Sequence, residues 1–250
     1  KISQGNGFDK KAKSNSRLSH RHRKKLMEEY GKTFKLWREA AGSDWDEYIN
    51  HSFVQKLADG TLPKENFVNY LIQDYVFLIH FSRAWALAIT KAETLQEMRL
   101  CAATVNALVN EEISLHVKLC ADEGIKEADL FNAIEATPNL AYTRYVLDAG
   151  HSGDFLDLIA ALAPCVLGYG EIGFMISKTE HSSAYSDWIS TYSSKEYQSV
   201  CADVGKLIDE AVAIRLGENP IKNPRWDRLT SRFLTATRLE VGFWQMGLDI

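Results

Sequence analysis

Between Glu65 and Ile89 the apolar residues fall at intervals of three and four (Phe67, Val68, Leu71, Ile72, Tyr75, Val76, Leu78, Ile79). This is the spacing of a helix buried over most of its circumference. Thr61 is placed to cap its start, and Pro63 falls in the first turn, where a missing N–H is harmless. The same periodicity predicts helices over 26–42, 94–122, 127–134, 138–149, 153–180, 194–216 and 225–248. Gly60, Gly124, Gly150 and the pairs Asn219-Pro220 and Asn223-Pro224 punctuate these stretches. Strand patterns are scarce, no internal repeat is visible, and no linker is long enough to separate two domains. The pattern therefore predicts an all-α fold, a single-domain helical bundle with short connections between antiparallel neighbours.

Composition supports a large core, with 46% hydrophobic residues in a chain of 250. Charges interrupt every apolar run before the roughly 18 to 20 residues that a bilayer demands, and the first residues are polar rather than a secretory segment. A cytoplasmic protein without membrane contact is expected. The four cysteines (Cys101, Cys120, Cys165, Cys201) show no CxxC spacing and are expected to be free thiols.

The net charge of -4 is unevenly spread. Residues 1–26 hold nine Lys or Arg against Asp9 alone, a charge of +8 that leaves -12 for the remainder. With Ser, Asn and Gly spacers and almost no aromatic residues, 1–26 is expected to be a flexible basic leader before a catalytic domain over 27–250, with Met27 as a candidate start. A basic arm binds nucleic acid by releasing counterions. The acidic body carries no recognition-helix motif, so a DNA-binding regulator would rest on the leader alone and no nucleic-acid partner is expected.

Chemistry is suggested where polar groups interrupt apolar helix faces. Asp74 is embedded in "YLIQDYVFLIHF", where a carboxylate must be paired or face a cavity. Glu240 shares a face with Phe243 and Trp244, three and four residues on. Glu111, Glu112 and His116 cluster in "VNEEISLHVKL", where they are expected to brace a pocket or a subunit contact. Cys165 follows a proline in "LAPCVLGYGEIG", a run whose Pro and three Gly cost about 3 and about 1 kcal/mol each in a helix interior. Aromatic rings near carboxylates suit a flat, nitrogen-rich heterocycle, and the thiol is a candidate nucleophile. One alternative is a metal centre built from Asp74, His80, Glu111, Glu112 and His116. The paired Glu-x-x-His motifs of di-iron bundles are absent, so neither a metal nor another cofactor is expected.

The segments "QDYVFLIHF", "AYTRYVLDAG", "LAPCVLGYGEIG", "WISTYSS" and "LEVGFWQMG" stand in the order and spacing of the TenA family. In them the chain, from about Trp45 to Met246, resembles that family, also called thiaminase II, in the subgroup with a catalytic cysteine. The resemblance implies a fold of the haem-oxygenase type, a homotetramer and catalysis without metal or haem. It also implies hydrolysis of 4-amino-5-aminomethyl-2-methylpyrimidine to the hydroxymethylpyrimidine and ammonia, for thiamin salvage, with cleavage of thiamin as a related reaction.

By the same resemblance Cys165 is the nucleophile, Asp74 holds the ring nitrogen and amino edge, and Glu240 handles protons at the amino or leaving group. Tyr142, Tyr169 and Tyr192 are similar to the pocket tyrosines and Phe243 to an aromatic wall. Phe77 departs from the family, which commonly has tyrosine there: stacking survives but a phenolic hydrogen bond does not. Gly168 and Gly170 replace bulkier residues and are expected to leave room for the substrate ring.

Overall fold

The computed structural model describes residues 21–250, and every regular element among them is helical. Helix α1 covers 21–29, followed by α2 (Lys32–Ala41), α3 (Ser43–Ile49), α4 (Ser52–Asp59) and the long α5 (Lys64–Lys91). Helix α6 (Leu95–Ala107) runs through a π-helical turn, Leu108–Glu112, into α7 (Ile113–Asp122). Then come α8 (Glu127–Phe131), α9 (Thr137–Ser152), α10 (Phe155–Ser177), α11 (Ser186–Ser193), α12 (Lys195–Leu216) and α13 (Trp226–Leu248).

The boundaries have local causes. Gly31 and Gly42, at φ 91° and 48°, divide the stretch predicted as one helix over 26–42, because few side chains tolerate that backbone region. The Asp209 carboxylate, reaching from α12, accepts from the backbone N–H groups of Lys32 and Thr33 at 2.9 and 2.8 Å, capping α2 from outside its own sequence. Thr61 does not cap α5: Pro63 holds the N-cap position and the Thr61 hydroxyl donates to Asp59 instead. Reciprocal side-chain caps, Thr94 with Glu97 and Asp154 with Asp157, start α6 and α10. The short helices α3, α4 and α11 lie outside the predicted segments, since seven or eight residues carry too little periodicity to register.

Helix α10 is the centre of the bundle, packed against α9, α11, α12 and α13. An 18-residue stretch of this 23-residue helix has a mean hydropathy of 1.7, so a run long and apolar enough to cross a membrane does exist, contrary to the reading from charge interruptions. Of the residues in that stretch 83% are buried by the surrounding helices, which gives the apolar surface another explanation. The charges it carries are paired: Asp157 with Arg225 and Arg228, and Glu171 with Arg38 at 2.6 Å and the Trp45 indole N–H at 2.9 Å. Of the basic segment 1–26, residues 1–20 lie outside the described residues. The boundary drawn at 26 falls inside α1, where Leu26 and Met27 are buried and Arg23 approaches Glu171 at 3.3 Å.

Candidate active site

A cavity of about 390 Å³ lies between α5, α6, the π-turn, α10, α11 and α12. Helix α5 contributes Asp74 and Phe77, α10 contributes Cys165 and Tyr169, and α11 contributes Tyr192. Asp74 and Phe77 are three residues apart and Cys165 and Tyr169 four, both spacings of neighbours on one helix face.

Asp74 is held from behind. Its Oδ2 lies 2.6 Å from His116 Nε2 and accepts from the Tyr70 hydroxyl at 3.3 Å. His116 Nδ1 lies 2.9 Å from the backbone carbonyl of Glu112. A carbonyl only accepts, so Nδ1 carries a proton, and a second proton on Nε2 makes the imidazolium. Burial opposes that charge, but the adjacent Asp74 carboxylate outweighs it and the His116 pKa is raised. The Trp188 indole donates to Tyr70 at 3.2 Å, and the Tyr70 and Tyr169 hydroxyls stand 3.3 Å apart.

Glu240, Tyr142 and Phe243 form the layer behind this wall and do not line the cavity. The Tyr142 hydroxyl donates to Glu240 Oε1 at 2.6 Å, and the Phe77 ring leans on Tyr142 and Phe243 at centroid separations of 5.0 and 5.4 Å. Burial drives the Glu240 pKa up to about 8; the Tyr142 hydrogen bond, the Cys165 thiol and the Tyr48 hydroxyl restrain the rise, while Asp74 adds to it. The Cys165 pKa is pushed well up, first by burial and then by Glu240, Glu112 and Asp74. The resting group is therefore a thiol, with a carboxyl beside it to exchange its proton.

Some readings of the sequence need correction. A Cβ on Gly168 would collide with the Tyr48 ring, and one on Gly170 would meet Cys201 Sγ and the Tyr30 hydroxyl. These glycines make room for the protein's own side chains, not for a substrate ring. Tyr48 was not among the candidates: it donates to the Pro164 carbonyl at 3.2 Å and sits in the field of Glu240 and Cys165. Its short helix α3 offered no signal beyond an aromatic residue. Tyr70 stands one helical turn before Asp74, a spacing that could have marked it. Tyr197, also missed, lines the cavity and donates to the Val166 carbonyl at 3.2 Å.

Glu112 opens onto the cavity and accepts from the Tyr192 hydroxyl at 3.0 Å. His80 is drawn away from Asp74, to Glu135 at 3.0 Å and Arg144 at 3.1 Å. Asp74, His80, Glu111, Glu112 and His116 thus do not assemble as one ligand set. Among the described residues no group of three or more His, Cys, Asp or Glu is arranged to hold a metal ion.

Residues 38–250 match the TENA/THI-4/PQQC family. The chain belongs to that family. A solved structure described as a TenA family transcription regulator, from Silicibacter sp. TM1040, is 56% identical, with a TM-score of 0.88 over 89% of this chain and 99% of its own. An uncharacterized protein of Haemophilus influenzae is 42% identical over 82% of this chain and 94% of its own length. The aminopyrimidine aminohydrolase of Halalkalibacterium halodurans is 34% identical over 84% of this chain and 93% of its length. A Shewanella denitrificans domain with a heme oxygenase-like fold superposes with a TM-score of 0.66 over 87% of this chain and 92% of its own, at 13% identity, which bears on the fold alone. The bundle is thus of the haem-oxygenase-like type within the TenA family.

Proposed function

We propose that the protein is an aminopyrimidine aminohydrolase of the thiaminase II type. It hydrolyses 4-amino-5-aminomethyl-2-methylpyrimidine to the hydroxymethyl compound and ammonia, and cleaves thiamin as a related reaction. The observation that carries this reading is that Cys165 and Asp74 open onto one aromatic-lined cavity while Glu240, with its raised pKa, stands beside the thiol. The relative named aminopyrimidine aminohydrolase supports the substrate class.

Asp74, anchored through Oδ2, holds the N–H edge of the ring-protonated pyrimidine, and that positive charge draws electron density from the ring. Phe77 and Tyr169 supply faces for the flat ring. Cys165 passes its proton to Glu240 in the fraction of molecules where that group, its pKa raised to about 8, is ionised, and the thiolate adds to the ring carbon next to the one bearing the aminomethyl group. Only there does addition place an electron pair on the carbon that can expel the amine. Glu240, now protonated, gives that proton to the departing amine as the C–N bond breaks with its electron pair going to nitrogen, leaving ammonia and an exocyclic methylene. Water adds to it and gives its proton to the Glu240 carboxylate, the ring regains its electron pair, the C–S bond breaks, and Glu240 returns that proton to sulfur. Splitting one substitution into two lower barriers is the gain of covalent catalysis.

Incubating the protein with the aminomethylpyrimidine and with thiamin, and measuring ammonia and hydroxymethylpyrimidine, tests the proposal: release from either supports it, and release from neither removes it. The same reading places the protein in the cytoplasm as a homotetramer. Exposed Phe131 and Ile134, with 67% and 89% of their surface open, support apolar contact with another copy, and light scattering in solution decides it.

A further inference from the structure

Helix α3 buries Trp45, Tyr48 and Ile49, a spacing of three and four that forms one inward face. That face lays Tyr48 against α10, where its hydroxyl donates to the Pro164 carbonyl at 3.2 Å, one residue before Cys165. The approach is close because α10 carries no side chain opposite it: a Cβ on Gly168 would overlap both the Tyr48 ring and its hydroxyl. Trp45, edge-on at a centroid separation of 5.3 Å, and Trp244, stacked at 6.4 Å, fix the ring from two sides. The Tyr48 oxygen is therefore held in place while its hydrogen remains free to turn.

The carboxyl this hydroxyl serves is Glu240. Side chains from four helices face it: Tyr48 from α3, Asp74 from α5, Tyr142 from α9, and Cys165 with Tyr169 from α10. Two of these are hydroxyls bonded to Glu240, with different freedom. Tyr142 donates to Oε1 at 2.6 Å, whereas Tyr48 has a second acceptor in the Pro164 carbonyl. An ionised carboxylate only accepts, while a neutral carboxyl also has a hydrogen to place. A hydroxyl that can turn away to a carbonyl satisfies both forms, as a buried polar group requires. Its bond to the charged form is the stronger of the two, so Tyr48 restrains the rise in the Glu240 pKa.

We infer that Tyr48 is a positioning residue for proton transfer, a hydroxyl that turns between Glu240 and the Pro164 carbonyl as Glu240 loses and gains its proton. This rests on the aminohydrolase reading above. With Glu240 ionised, the Tyr48 O–H points at the carboxylate and holds it ready for the Cys165 proton. When that proton arrives, the Tyr48 hydrogen turns to the Pro164 carbonyl and the Tyr48 oxygen accepts from the new carboxyl, until the departing amine takes the proton. Tyr48 keeps its own hydrogen throughout, and only hydrogen bonds are exchanged. Gly168 leaves the space in which the hydroxyl stands between its two partners.

The pH profile separates this role from a structural one. Tyr48→Phe removes only the oxygen. The lower-pH limb of kcat/KM on the aminomethylpyrimidine, set by ionisation of Glu240, should move up by about one pH unit, the scale of a lost hydrogen bond to a charge. The rate should then fall by about tenfold at pH 7 and by less than about twofold at pH 9.5, whereas a purely structural hydroxyl would lower it alike at every pH. Tyr197→Phe, which removes a similar bond to the Val166 carbonyl one residue after Cys165, should leave the limb in place. The infrared carbonyl band of the Glu240 carboxyl, identified by its loss in Glu240→Gln, should titrate at correspondingly higher pH in Tyr48→Phe with no substrate present. An unmoved limb in an active enzyme, or an unmoved band, would overturn the inference. Should Tyr48→Phe fail to melt cooperatively, Gly168→Ala decides, since its methyl group displaces the Tyr48 hydroxyl: the band should again move up, and a band at the wild-type pH would count against the role. A wild-type protein that turns over neither substrate removes the aminohydrolase reading, and the infrared titration then judges the hydroxyl by itself.

Discussion

Asp74 Oδ2 and His116 Nε2 stand 2.6 Å apart in an interior where both side chains are at least 96% buried, and the other imidazole nitrogen faces the Glu112 carbonyl. The carboxylate that opens onto the cavity is thus oriented by a ring with an acceptor at each nitrogen. Because the His116 pKa is raised in the folded state, the stabilisation from this pair is complete below the ordinary imidazole value of 6.5 and fades as pH rises through the folded value. In Asp74→Asn the raising influence is gone and burial dominates. The imidazole titration midpoint, measured by NMR, should drop, and the variant should lose about 1–3 kcal/mol of stability at pH 6. An unmoved midpoint would show that the pair does not govern the ring.

Glu240 has the opposite sign from an ion-paired carboxylate. Its pKa rises from 4.5 to about 8 on folding, so the folded state binds more protons between those values and stability falls as pH climbs through that window. Urea unfolding of the wild type and Glu240→Gln at pH 5 and pH 8.5 should show the wild type losing ground to the variant, at about 1.4 kcal/mol per unit of pKa difference as an upper bound. Parallel behaviour would mean the carboxylate is not desolvated. Turnover in Glu240→Gln should drop by about 100-fold or more, the scale of lost acid–base catalysis.

Range along the chain decides how much was readable beforehand. The long helices declare themselves because their apolar spacing is local, and Asp74, Cys165, Phe77, Tyr169 and Tyr192 could be singled out by residue type against apolar neighbours or by motif. Placement was less legible: Glu240, Tyr142 and Phe243 stand a layer behind the cavity, while Glu112 moves into it through a π-turn that periodicity does not register. The glycines of α10 were misread because their true neighbours, Tyr48 and Tyr30, are more than 100 residues away in sequence.

Gly168→Ala should cost about 1–3 kcal/mol, the price of overpacking, because its methyl group would overlap the Tyr48 ring. Gly242→Ala, on α13 with nothing within 4 Å of the added carbon, should instead stabilise by up to about 1 kcal/mol. Thermal melts of the two variants check the contrast, and equal effects would deny the close approach of α3 to α10.

Of the four free thiols, Cys165 alone opens onto the cavity, at 9% exposure, while Cys101, Cys120 and Cys201 are fully enclosed. Burial among carboxylates keeps the Cys165 thiolate scarce, so iodoacetamide should label one thiol slowly at pH 7 and faster as pH rises. Peptide mapping should place the label on Cys165, with the hydroxymethylpyrimidine slowing it. Label on another cysteine in the folded protein would contradict the accessibility described.

Turnover of the aminomethylpyrimidine by Cys165→Ala bears most directly on the central claim, since the variant deletes only the sulfur. The account predicts that ammonia release falls by at least about 1000-fold, the scale at which nucleophile losses are felt, with cooperative melting retained. Release at the wild-type rate would contradict it.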